Sequence, residues 1–296
     1  METELIDLDA KTSSYIKPSF PHGMYIGFGG ILNENILICG GFYGFRLQDC
    51  YFWNLRNGET FNQSFPLLEP RSEGDGVMTT KGLWVTGGRT NNGLSKTTEF
   101  ITLDRVIPGP NLPEEICCHC LTRINSTVIA MTGGSSGPDR YSPKTYFFHE
   151  DSQHWTRGPD MKESRYRHGC SIINNAGKQY LIVAGGYNGE RLNSTEFLEI
   201  GTLGTGTANW VKGPILPEPM QEFRMVPTAD SLGTIIIGGY DDSSMRSYRD
   251  EVLELKCETS LLFCTWSSIL SLKSPRGELI AIPIARNIFK IVNTES

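Results

Sequence analysis

Residues 180–200 read YLIVAGGYNGERLNSTEFLEI, and the order of residue types in this stretch carries the fold. A short apolar run from Tyr180 to Ala184 ends on Gly185-Gly186, a polar loop follows, and Thr195-Glu196-Phe197 opens a second run. Apolar runs this short, bounded by turn residues, read as strands buried on both faces. Two glycines closing such a strand allow positive φ and a close approach of neighbouring backbones.

The same order recurs on both sides. Gly-Gly pairs stand at Gly40-Gly41, Gly87-Gly88, Gly133-Gly134, Gly185-Gly186 and Gly238-Gly239, at intervals of 47, 46, 52 and 53 residues. A period near 50 marks a stacked or circular repeat. Each pair closes a β-rich run (NILICGG, LWVTGG, VIAMTGG, YLIVAGG, TIIIGG), and about ten residues on comes a second strand, plainest at Thr98-Glu99-Phe100, Thr195-Glu196-Phe197 and Asp250-Glu251-Val252. Next come a Trp and Gly-Pro (Trp155 to Pro159, Trp210 to Pro214), then an apolar strand leading into the following Gly-Gly, as in Arg165 to Ile173. Four short antiparallel strands per unit make the blade of a β-propeller.

These residues resemble the kelch repeat over essentially the whole chain. The first two units lack the Trp of the third and fourth, and the sixth lacks Gly-Gly. The ends complement each other. Residues 277–292 look like two inner strands, and Thr3-Glu4-Leu5-Ile6 parallels Thr98-Glu99-Phe100-Ile101 as an outer strand. The expectation is therefore an all-β, six-bladed kelch-type β-propeller, a single domain over 1–296. Its blades cover about 23–68, 69–112, 113–160, 161–217, 218–273, and 274–296 with 1–20, so that the sixth blade joins N-terminal outer to C-terminal inner strands.

Composition narrows the function. The 296 residues carry 27 Lys+Arg against 33 Asp+Glu, a net charge of −6, without the basic excess that coats a phosphate backbone. The longest apolar runs, such as Leu279 to Ile284, fall far short of the roughly 18–20 residues that cross a bilayer. The acidic start METELIDLDAK does not read as a signal segment, so a cytoplasmic protein is expected, without nucleic-acid or membrane partners. The eight cysteines then read first as buried thiols. Were the protein extracellular, Cys39/Cys50 and Cys257/Cys264 could form disulfides, and Asn62, Asn125 and Asn193 head formal sequons.

Few constellations suggest chemistry. Cys117-Cys118-His119-Cys120 has zinc-ligand residue types. Strand alternation, however, puts Cys118 and Cys120 on one face and Cys117 and His119 on the other, with Cys170 as the one candidate for a third ligand. His119, His168 and Arg165 could serve a sugar-oxidising or sugar-isomerising channel, the alternative to binding. No P-loop pattern follows any glycine, and no cofactor or metal is expected.

What remains is the rim of loops that follow the Gly-Gly pairs. They repeatedly join an aromatic residue to an arginine: Tyr43 with Arg46, Arg140 with Tyr141, Tyr187 with Arg191, and Tyr240 with Arg246, Tyr248 and Arg249, while Arg89 stands alone. Tyr and Arg are enriched at interface hot spots. In the kelch family the blade-to-blade connections reach the same face, and the resemblance thereby adds Arg71, Arg165 and Arg224 to the partner-binding set. An arginine-rich rim on an acidic chain suits an acidic peptide or loop. The expected function is thus a non-catalytic protein-interaction module; the resemblance points to substrate recognition for a ubiquitin ligase or to a cytoskeletal assembly. An extracellular adhesion module is a further alternative.

Overall fold

The structure, a computed structural model, describes residues 3–18, 20–21, 23–56, 60–241, 247–258 and 260–292. Among them the chain is all-β, with two three-residue 3-10 turns as its only helical segments. No helix is long and apolar enough to cross a membrane. The chain divides into two compact units, Met1–Cys118 with Glu278–Ser296, and His119–Gly277.

The first unit contains three four-stranded antiparallel sheets. Sheet 1 is built from Phe28–Leu32, Asn35–Cys39, Cys50–Asn54 and Asn62–Gln63. Sheet 2 comprises Asp75–Thr79, Gly82–Thr86, Thr98–Ile101 and Val106–Pro108. The chain's two ends make sheet 6, in the order Ile280–Ala285, Ile288–Val292, Thr3–Asp7, Thr12–Ile16. Its middle ladder pairs Thr3 with Val292 and Asp7 with Ile288, so the N-terminal strand lies between the C-terminal strands and Thr12–Ile16.

The second unit also holds three. Sheet 3 runs Cys120–Arg123, Val128–Thr132, Thr145–His149, His154–Arg157, and sheet 4 runs Gly169–Asn175, Lys178–Ala184, Thr195–Glu199, Trp210–Lys212. Sheet 5 follows with Arg224–Pro227, Gly233–Ile237, Glu251–Cys257 and Cys264–Ser271.

In sheets 1 to 5 the second strand is the apolar run before Gly-Gly, and Gly82–Thr86 and Gly233–Ile237 are buried at every position. A strand covered on both faces has no polar side, which is why these runs show no alternation. Within each unit the core lies between successive sheets. Ile182 and Phe197 of sheet 4 pack with Ile236, Leu253 and Trp266 of sheet 5, with Met220 and Phe223 between. Each such side chain contributes about 1.5–3 kcal/mol by burial.

The Gly-Gly pairs are the joints between neighbouring sheets. All ten glycines have positive φ. At Gly185, φ is 58° and a Cβ would lie 2.6 Å from the Met220 carbonyl oxygen, a contact only glycine avoids. The next amide, Gly186 N–H, donates to that carbonyl at 2.8 Å. Gly41 and Gly134 do the same to the carbonyls of Arg71 and Arg165, each at 2.8 Å.

The cysteines correct the buried-thiol reading. Three disulfides are present: Cys39–Cys50, Cys120–Cys170 and Cys257–Cys264. Antiparallel register sets Cys39 directly opposite Cys50, and Cys257 opposite Cys264. Cys120–Cys170 links the first strands of sheets 3 and 4 across a Cα–Cα distance of 5.9 Å. This removes Cys120 and Cys170 from the ligand set read in the Cys117–Cys120 stretch.

Candidate functional site

Three classes of residue emerge from the arginine and tyrosine positions picked out on the rim. The first is a correction. Arg71 and Arg165 are buried, at 1% and 0% exposure, and are not surface residues. Arg165 donates to Glu196 at 2.9 Å, to the Gly185 and Ser194 carbonyls at 2.8 and 3.1 Å, and to the Ser194 hydroxyl. Arg71 repeats the arrangement with Glu99 at 2.7 Å, the Gly87 and Thr97 carbonyls, and Thr97 Oγ1. The side chain thus caps the first glycine carbonyl of the next sheet while its own carbonyl receives the Gly-Gly amide of the previous one. A guanidinium has five fixed donors, enough to satisfy such a joint. The sequence carries the signal as Glu-x-Arg (Glu69-Pro70-Arg71, Glu163-Ser164-Arg165) followed by Thr-Glu-Phe.

The second class is half-buried or lies outside the described residues. Arg89 is half-buried and pairs with Glu73 at 2.8 Å. Arg224 is half-buried in the first strand of sheet 5. Arg246 lies outside the described residues.

The third class converges. In the second unit Tyr141 stacks on Tyr166 with ring centroids 5.2 Å apart, and Tyr187 meets both edge-on, at 5.6 Å from Tyr141 and 5.7 Å from Tyr166. Arg191 lies over the Tyr240 ring at 4.8 Å, and Tyr240 meets Tyr248 at 5.8 Å. Arg140, exposed, flanks the tyrosine group. Short bridges position these side chains: Ser135 pairs with Tyr141, Tyr187 with Tyr166 and Arg191, and Tyr240 with Gln221. Each bridge has one end on the residue just after a Gly-Gly, so the rings of Tyr187 and Tyr240 are held at a defined place. Desolvation, then the hydrogen bond from its hydroxyl to Asp139 at 3.1 Å, raises the Tyr141 pKa above its usual value.

Tyr166 was not picked from sequence as part of the site. Tyr166 sits where Tyr25 sits in sheet 1, and both pair with the residue after a Gly-Gly, Tyr187 and Phe42. Aligning the repeats on that bridge would have found it. In the first unit the corresponding loop exposes Tyr43 and Phe45, at 46% and 65%, beside half-buried Arg46.

His168 is structural in its bonding. Its Nε2 lies 2.9 Å from Thr132 Oγ1, and burial, with Arg165 and His119 nearby, lowers its pKa from 6.5 to about 3. The imidazole is neutral at physiological pH.

No protein-family model and no curated protein matches the chain. Solved structures do. One described as "Structure of YjhT" superposes with a TM-score of 0.70 over 91% of this chain and 90% of that one, at 14% identity. This likeness is one of fold: an all-β chain of repeated four-stranded antiparallel sheets, consistent with a β-propeller.

Proposed function

We propose that the six four-stranded sheets are the blades of a six-bladed kelch-type propeller that works as a non-catalytic protein-interaction module. The observation that carries the reading is the Tyr141–Tyr166–Tyr187 group, joined through the Tyr187–Arg191 bridge to Arg191, Tyr240 and Tyr248. Large, rigid, amphipathic side chains held on tight bridges lose little entropy on contact, which is what an interface hot spot needs. The partner is an acidic segment whose carboxylates meet Arg140 and Arg191 while its apolar parts cover the tyrosines. Burial of Arg165 in a structural ion pair and the neutral, hydrogen-bonded state of His168 support binding over sugar chemistry. Three disulfides support an oxidising compartment over the cytoplasm expected from the acidic start.

The test is affinity capture followed by cross-linking with the wild-type chain, an Arg140→Glu/Arg191→Glu variant and a Tyr141→Ser/Tyr187→Ser variant. A hot spot of about 2 kcal/mol corresponds to roughly 30-fold weaker binding. Both variants should keep the wild-type melting temperature and lose the partner. Equal recovery by all three proteins would sink the reading.

A further inference from the structure

Six of the eight cysteines are in disulfides, and the two that remain thiols, Cys117 and Cys118, are adjacent. Alternation along a strand would send their side chains to opposite faces, but Cys118 has φ 55°. It belongs to a series of non-glycine residues with positive φ, namely Ile26, Glu73, Cys118, Arg167, Glu222 and Glu278, each just ahead of the first strand of a sheet. Glu73 and Cys118 are thus equivalent residues of successive repeats, and the Cys118 amide donates to the Glu73 carbonyl at 2.6 Å. This backbone contact brings Cys118 Sγ to 3.7 Å from Glu73 Oε2.

Among the described residues, Glu73, Cys117 and Cys118 form a group whose donor atoms all lie within 4.8 Å of one another. Zinc–sulfur and zinc–oxygen arms of about 2.3 and 2.1 Å at a tetrahedral angle place sulfur and oxygen about 3.6 Å apart. The observed 3.7 Å matches that edge. Cys117 and Cys118 are buried, at 1% and 8% exposure, with Glu73 partly open to solvent.

We propose that Glu73, Cys117 and Cys118 bind one zinc ion, with a fourth position open to water or an exogenous ligand. Two thiolates select against calcium and magnesium, and the carboxylate suits zinc better than copper(I). The charges close: Zn²⁺, two thiolates and one carboxylate sum to −1, which Arg89, 2.8 Å from Glu73 Oε2, compensates. Each thiol gives up its proton to solvent when its sulfur–zinc bond forms, so two protons leave per zinc. No electron is transferred. The site ties the segment ahead of sheet 2 to the segment that leaves the first unit.

The experiment uses the full chain with its disulfides intact, stripped by chelator and titrated with cobalt(II) as spectroscopic probe and then with zinc in competition. One equivalent should bind, with sulfur-to-cobalt charge-transfer bands and tetrahedral d–d absorption that zinc abolishes. Zinc should also protect both Cys117 and Cys118 from iodoacetamide, read by peptide mass spectrometry. Cys117→Ser should lose about half or more of the charge-transfer intensity, and Arg89→Met should weaken zinc binding about 10-fold or more. The alkylation readout needs no variant, so a Cys117→Ser protein that fails to fold leaves the test intact. Cobalt binding without charge transfer, alkylation unaffected by zinc, or Cys117 and Cys118 joined to each other in the native protein would each overturn the proposal.

Discussion

Replacing Glu196 with alanine tests the joint between sheets 3 and 4. Glu196 accepts from Arg165 at 2.9 Å and from the amides of Lys162 and Glu163 at 2.7 and 3.1 Å. Both members of the ion pair are buried, with side-chain exposures of 0% and 2%. Removing one partner of such a pair leaves an uncompensated buried charge and costs about 3–5 kcal/mol. Two amides also lose their acceptor, at about 1 kcal/mol or more each. Glu163, 3.2 Å from Arg165 and 32% exposed, retains part of the counter-charge and offsets some of this. The expected loss is about 4 kcal/mol, read as a fall in the denaturation midpoint with disulfides intact, or roughly 8–16 °C in melting temperature. Arg165→Met with Glu196→Leu removes both charges and should cost less than Glu196→Ala alone, although the Gly185 and Ser194 carbonyls lose a donor. A single variant within about 1 kcal/mol of wild type, or a double variant worse than the single, would refute the lock. Glu99→Ala should repeat the result through Arg71, where Glu69 at 3.5 Å takes the part of Glu163.

The remaining predictions concern glycine, histidine and cystine. Gly185→Ala, at φ 58° with a carbonyl 2.6 Å from the new Cβ, should destabilise by about 1–3 kcal/mol or more in urea unfolding, whereas Gly177→Ala, at φ 74° in open space, should show the smaller cost of φ alone. His168 is depressed from 6.5 to about 3, so the unfolded chain binds the extra proton between these values and stability falls as pH drops through that window. The slope due to this residue approaches about 1.4 kcal/mol per pH unit near pH 5; urea midpoints of His168→Gln should lose it, and equal slopes for the two proteins would contradict the assignment. The Cys120–Cys170 bridge closes a sequence separation of 50, which corresponds to about 4 kcal/mol by loop entropy. Cys120→Ser/Cys170→Ser should therefore unfold at markedly lower denaturant, and non-reducing peptide mapping that finds both as thiols in the native protein would count against the bridge.

The strands and the repeat were legible because they rest on local patterns. A short apolar run ending in two glycines can satisfy its backbone and bury its side chains in few ways, and five phased copies outweigh any single match. The complementarity of Thr3–Asp7 with Ile288–Val292 was legible for the same reason, since each end carries half of the unit that the others carry whole. The site was legible only in part. Tyr141, Tyr187, Arg191 and Tyr240 were found because aromatic residues and arginine recur after Gly-Gly, but Tyr166 lies in another segment and joins them through its bridge to Tyr187 and its stacking on Tyr141.

The sequence by itself therefore determined the all-β class, the period and the placing of the turns, all of which depend on neighbours a few residues away. Only the tertiary structure decided where each charge and each sulfur went. Arg71 and Arg46 look alike in a string of letters, yet one is buried against Glu99, 28 residues on, because the next sheet brings a carboxylate and two carbonyls to it. Cys120 finds Cys170, 50 residues on, across the first strands of neighbouring sheets, while a single left-handed residue at position 118 keeps its sulfur with Cys117 and Glu73. A polar side chain takes the lowest-energy partner within reach, and reach is set by the packing of sheets rather than by distance along the chain.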